Sequence, residues 1–171
     1  MIAVRGKVTI VNCKREHVDF IVSLLCKEIA KRHYATHGEI LDGTADMAFR
    51  ITKNARAIQQ RLVGQMLGSK NARIFVAVVN GRPVGFSIGM IHDWQGKKVA
   101  YSADSVVQKS WRGRGVYSKL VRARERYYKR SGAVYDYFYV NPRNKLEVDI
   151  SKHRKYSVAS IVMLKKFGKR A

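Results

Sequence analysis

Val106-Val107-Gln108-Lys109-Ser110-Trp111-Arg112-Gly113-Arg114-Gly115-Val116-Tyr117-Ser118-Lys119-Leu120-Val121 passes from strand to turn to helix without a break. The β-branched pair Val106-Val107 closes a strand, and Gly113 and Gly115 supply backbone freedom in the turn. An apolar stripe at Val116, Leu120, Ala123 and Tyr127 then sets helical spacing. A helix that opens directly after such a turn presents unpaired N–H groups and the positive end of its dipole, a ready anion site. Arg112 and Arg114 add charge suited to phosphate.

Upstream, Arg73–Val79 is β-rich, Asn80-Gly81 is a two-residue hairpin signal, and Arg82–Ile91 is the return strand. Gln95-Gly96-Lys97-Lys98 marks a second turn before Val99–Gln108. Downstream, the helix runs from Val116 to Arg130 and stops at Gly132, and Val134–Val140 is a strand ended by Asn141-Pro142. Lys145–His153 reads as a short helix and Ser160–Lys165 as a last strand. At the other end, Lys7–Asn12 is a strand. Lys14 to His33 is a helix with Val18, Ile21, Val22, Leu25 and Ile29 on one stripe. Tyr34–Ala48 reads as a loop, and Thr52 as the cap of a second helix with Ile58, Leu62, Val63 and Met66 on one face. Antiparallel strands followed by strand–helix–strand imply an α/β (mixed α+β) fold with a mostly antiparallel central sheet flanked by helices. With no linker or repeat, residues 1–171 read as one domain.

The turn resembles motif A of the GNAT (N-acyltransferase) superfamily, Gln/Arg-x-x-Gly-x-Gly/Ala between the fourth strand and the third helix. Arg112 falls on the first motif position and Gly115 on the central glycine. The residue match covers about Ser105–Val121, while the order of elements agrees over most of the chain. The resemblance implies acetyl-CoA, or another acyl-CoA, as cofactor. Its pyrophosphate would lie on Arg112, Gly113, Arg114, Gly115, Val116, Tyr117 and Ser118, and its pantetheine arm against the main chain of Ser105, Val106 and Val107. Asn141 and Asn144 fall at a strand end where the family has an asparagine near the cofactor, although turn formation beside Pro142 is the plainer explanation of them. One position departs from the family. Tyr117 stands where Gly or Ala is usual, and its ring swings aside, stacks near the adenine or closes the site.

Acylating an amine requires removing its proton and returning one to the leaving thiolate. Asp104, on the strand that leads into the turn, is a candidate base, with an ion-paired surface aspartate as the alternative. The family often uses a tyrosine in Tyr-x-x-x-Gly-Phe as the acid. Here the stretch is His153-Arg154-Lys155-Tyr156-Ser157-Val158, which leaves His153 and Tyr156 as candidates and lacks Gly-Phe. The loop carrying His33, Tyr34 and His37 would border the acceptor in such a fold, making these substrate contacts. His33 and His37 with Glu39 and Asp42 are too weak a set to imply a metal.

Charge narrows the partners. Lys and Arg total 34 against 12 acidic residues, a net +22. Unbalanced charge of this size points to a polyanion; charge alone leaves nucleic acid, anionic membrane, acidic protein and phosphorylated ligands open, and the basic run along one helix favours DNA or RNA. The helix residues Lys119, Arg122, Arg126, Lys129 and Arg130 are the expected contacts, with Arg124 on the same run and Lys165, Lys166, Lys169 and Arg170 in a basic tail. Tyr135, Tyr137 and Tyr139 alternate along a strand and read as packing rather than base-stacking groups. Cys13 and Cys26 have no metal or disulfide spacing and read as small buried residues. No apolar run nears the roughly 20 residues that cross a bilayer, and the first residues lack the apolar centre of a signal peptide, so a cytoplasmic, non-membrane protein is expected. The leading function is an acyl-CoA-dependent N-acyltransferase acting on or near nucleic acid. The alternative is a GNAT-fold nucleic-acid-binding or modifying protein without acyl transfer, of the kind phages encode for DNA modification or as virion components.

Overall fold

Between Ala72 and Val107 the chain alternates long β-forming runs with two tight turns, and this pattern produces a meander. In the computed structural model, which describes residues 6–31 and 33–166, these runs are β2 (Ala72–Val79), β3 (Arg82–Trp94) and β4 (Lys97–Val107). Asn80 and Gly81 have φ of 48° and 75°, and Gln95 and Gly96 have 51° and 79°. Both turns thus use two consecutive left-handed residues, whose twist suits a two-residue hairpin. β1 (Thr9–Asn12) pairs antiparallel with β2, Thr9 opposite Val78. The chain then returns through helix α4 (Val116–Arg130) to β5 (Tyr135–Tyr137), which lies parallel to β4. The sheet order is β1-β2-β3-β4-β5.

The remaining helices are α1 (Val18–Ile29), preceded by a 3-10 turn at Arg15–His17, α2 (His37–Leu41), α3 (Ala55–Gly68) and α5 (Lys145–His153). The strand read at Val134–Val140 shortens to β5 and the helix read from Lys14 to His33 shortens to α1 and its 3-10 turn, and three expectations change in kind. The stretch read as a loop contains α2, started by a capping box. The Thr36 hydroxyl accepts from Gly38 N–H at 3.3 Å, and Glu39 Oε2 accepts from Thr36 N–H at 2.6 Å. Thr52 does not cap α3, because its hydroxyl donates to the Gly43 carbonyl at 2.7 Å and the helix begins later. Ser160–Lys165 is not a strand. Ile161 and Met163 are exposed there, and β propensity needs a surface to pack on before it becomes structure.

The chain forms two compact units. The first takes in the chain up to Leu25 with Gln59–Phe138, and the second Cys26–Ile58 with the chain from Tyr139 on. In the first unit Ala77, Val79, Val84, Val107, Val116 and Leu120 form a buried cluster, with Val8, Ile10, Phe75, Trp111 and Tyr117 against it. Burying a side chain such as Leu120 contributes about 2 kcal/mol. This cluster joins the end of β4 to the first turns of α4 and so fixes the loop between them. In the second unit Ile29, Ala35, Ala45 and Ala55 are buried, and the buried Asn141 donates from Nδ2 to the Ala35 carbonyl at 2.8 Å.

Candidate active site

Three features of the first unit converge where β4 meets α4. The first is a parting of strands. β5 pairs with β4 only from Val99 to Tyr101, so from Ser102 to Val107 the outer edge of β4 carries main-chain groups with no strand beside them. The parting is anchored at its closed end, where the Ser102 hydroxyl donates to the Asp136 carboxylate at 2.8 Å and the Tyr128 hydroxyl donates to the Tyr101 carbonyl at 3.0 Å. A register shift leaves Ala103 as an extra residue on β4, since Gly89 pairs with Ser102 and Ile88 with Asp104. Asp104 follows this bulge directly and is half-buried. Ser105 next to it bonds Arg124 of α4, so alternation along the strand turns the Asp104 side chain to the opposite face.

The second feature is the turn. Gly113 and Gly115 both have φ of 72°, and Gly115 is the N-cap of α4. A Cβ at either position would meet no atom within 4 Å, so what demands glycine is backbone conformation, and the turn is open on that side. Bonding inside the helix starts with Lys119 N–H to the Gly115 carbonyl at 3.1 Å. Among the described residues none accepts from the main-chain N–H of Gly113, Arg114, Gly115 or Val116. These N–H groups and the helix dipole suit an anion. Arg112 and Arg114 are exposed beside them: Arg112 Nε donates to the Val107 carbonyl at 3.0 Å, and the Arg114 guanidinium lies 4.9 Å from the Trp111 ring centroid.

The third feature is Tyr117. Its half-buried side chain packs against the apolar cluster that holds Val107, Val116 and Leu120. The turn, the free edge of β4 and their arginines therefore fit a diphosphate carried on an extended arm.

Arg124, read from sequence as part of the basic face, is instead buried. Its Nη1 donates to the hydroxyls of Ser105 and Ser87 at 2.7 and 3.2 Å, while its Nε has no partner. Sequence spacing missed it because an arginine at a stripe position looks like any other surface cation. Lys119, Arg122, Arg126, Lys129 and Arg130 are exposed along α4, and Ser118 is exposed in its first turn. Lys169 and Arg170 lie outside the described residues.

His33, Tyr34, His37, Asn141, Asn144, His153 and Tyr156 belong to the second unit. His37 opens α2 and meets Tyr139 edge-on, with centroids 4.1 Å apart. Asn141 is engaged at both ends of its amide, accepting from Arg143 N–H at 3.0 Å as well as donating to Ala35. Asn144 caps α5, accepting from Glu147 N–H at 3.4 Å. His33 and His153 are exposed, His153 with its Nδ1 3.0 Å from the Asp149 carbonyl oxygen. Tyr34 and Tyr156 are half-buried. Among the described residues no group of His, Cys, Asp and Glu is arranged to hold a metal ion, and no helix is long and apolar enough to cross a membrane.

Mixed sheet, parted β4–β5 edge and glycine turn together define an acyltransferase fold. Residues 44–148 match the acetyltransferase (GNAT) family, more than half of the chain, and the chain belongs to that family. With membership come acetyl transfer to an amine as the class of reaction and acetyl-CoA as donor. No match is found among the curated proteins. Among solved structures the chain is similar to an aminoglycoside N-acetyltransferase in complex with CoA, at 16% identity over 98% of this chain and 99% of that one, with a TM-score of 0.69. It is also similar to an aminoglycoside antibiotic 6'-N-acetyltransferase from Acinetobacter haemolyticus, at 14% identity, 95% and 99% coverage and a TM-score of 0.68. A transcriptional regulator from Bacillus halodurans aligns at 17% identity, 94% and 100% coverage and a TM-score of 0.72. At these identities the likeness is one of fold.

Proposed function

We propose that this protein transfers an acetyl group from acetyl-CoA to an amine on nucleic acid or on a protein bound to it. The observation that carries the donor half is the set of unpaired N–H groups at Gly113–Val116, framed by two left-handed glycines at the start of α4. Bound acetyl-CoA supplies a thioester carbonyl for the amine to attack, with its thiolate as leaving group. The amides of Gly113–Val116 would bind the diphosphate, and Arg112 and Arg114 would neutralise it. Ser105–Val107 at the outer edge of β4 would hold the arm by main-chain bonds, with the Val107 carbonyl giving up its bond from Arg112 Nε to do so. Asp104, on the strand at that point, takes the amine proton directly or through water. Tyr156 or His153 returns a proton to the sulfur, an assignment that rests on the family resemblance alone.

The acceptor half is supported by charge. A net +22 with exposed cations along α4 favours a polyanionic partner, and amines presented on or near such a partner would be drawn to the site. Calorimetry with acetyl-CoA tests the donor half. Micromolar binding by the wild type and its loss in Gly115→Glu, which sets a carboxylate against the diphosphate, are expected. A wild type that ignores acetyl-CoA contradicts the reading. Asp104→Asn should leave acetyl-CoA affinity unchanged and lower acetyl transfer to the amine acceptor at least about 100-fold, the usual worth of a positioned base.

A further inference from the structure

Away from the turn, at the other edge of the sheet, α4 and the strands β1 and β2 enclose a cleft of about 330 Å³. Its walls carry Arg73 and Phe75 from β2, Asn12 from β1, and Arg126, Tyr127 and Arg130 from α4. No acidic residue lines it. Among the described residues, none of the three arginines has a carboxylate within ion-pairing distance. The floor is aromatic and held in place. The Tyr127 hydroxyl donates to the Asn71 carbonyl at 3.2 Å, the Phe75 ring lies 6.4 Å from the Tyr127 ring, and the Arg73 guanidinium sits 5.8 Å from the Tyr127 centroid.

We infer that this cleft binds one nucleotide unit of a single-stranded nucleic acid, with phosphate on Arg126 and Arg130 and a base against Tyr127. The inference rests on the nucleic-acid part of the function proposed above. Three guanidinium groups around one concavity repel each other, and a phosphodiester offsets that repulsion. The volume is at the lower end of ligand clefts, about 300–1,000 Å³, and suits one nucleotide. A flat ring beside a guanidinium is a platform for any base, since every base has a π-face. A duplex keeps its bases inside the stack and would leave that floor uncovered. Exposed Arg122 and Lys129 extend the positive track beyond the cleft, which favours a strand over a lone nucleotide.

Fluorescence anisotropy of the full chain with labelled oligo-deoxythymidine and oligouridine of roughly 12 nucleotides, within the span one such module covers, tests this. Binding should weaken linearly in log–log terms as salt rises. The double variant Arg126→Gln/Arg130→Gln, on exposed positions, should make that slope shallower by roughly 0.7, the figure for one phosphate contact on a single strand. Tyr127→Ala should weaken binding roughly tenfold and leave the slope alone. Lys97→Gln/Lys98→Gln removes the same charge elsewhere and should change little. Preference between the two oligomers names the polymer. Cleft variants that bind like wild type, or a Lys97/Lys98 variant as impaired as the Arg126/Arg130 one, would overturn the inference, as would competition by thymidine monophosphate equal to that of the strand. Acetyl-CoA titrated separately keeps the readings apart: donor binding without strand binding sinks this inference and leaves the acetyl-CoA reading standing, and strand binding without donor binding sinks the acetyl-CoA reading and leaves this inference standing.

Discussion

Gly115 joins sequence, conformation and chemistry at a single position. Its φ of 72° starts α4 with its first N–H groups unpaired, and any side chain there is strained. Gly115→Ala is expected to cost about 1–2 kcal/mol in urea unfolding and to weaken acetyl-CoA at the same time. The glycines were legible in the sequence because their spacing relative to strand and helix is itself the signal. The direction of the Tyr117 ring was not, since it depends on how α4 rotates over the sheet. The fate of Arg124 was equally hidden. Its guanidinium is buried against Ser87 and Ser105 without a carboxylate, and the two hydroxyls also bond each other at 2.8 Å. Replacing it with an apolar side chain of similar length leaves both serines partnered. Arg124→Met should therefore be as stable as wild type or up to about 2 kcal/mol more stable, and a clear loss in thermal unfolding would contradict this. Burial lifts the Cys13 thiol to about 11, so the thiol form persists through neutral pH. Alkylation of Cys13 by iodoacetamide should lag behind a free thiol at pH 8 and catch up only as pH approaches that value.

At the scale of elements, the meander and α4 were legible because two turn signals and one amphipathic stripe left little choice. What failed to appear has physical reasons. α2 is too short for periodicity to register, although Thr36 and Glu39 spell its capping box. Ser160–Lys165 has strand-like composition and no strand, which composition cannot reveal. The close packing of α4 on β3 was also hidden. A Cβ at Gly89 would lie 2.5 Å from the Tyr128 hydroxyl oxygen and 2.8 Å from Arg124 Cγ, so glycine is what lets the helix settle on the strand. Gly89→Ala is expected to force the helix outward, at a cost of about 1–3 kcal/mol in denaturant unfolding. An unchanged midpoint would show that the two side chains give way freely.

For the whole molecule, charge was the plainest signal in the sequence and the least specific. A net +22 said polyanion without saying where. The cleft beside β1 became visible only when β2 and α4 brought Arg73 together with Arg126 and Arg130 from distant parts of the chain. Self-repulsion of this size should also make the free protein more stable in moderate salt, through screening over a Debye length of about 10 Å at 0.1 M. The central claim concerns the donor site, and amide-resolved NMR tests it directly. On titrating acetyl-CoA, the N–H signals of Gly113, Arg114, Gly115 and Val116 should move most, with those of Ser105–Val107 beside them. Saturable binding that leaves these signals still and moves others would contradict the account.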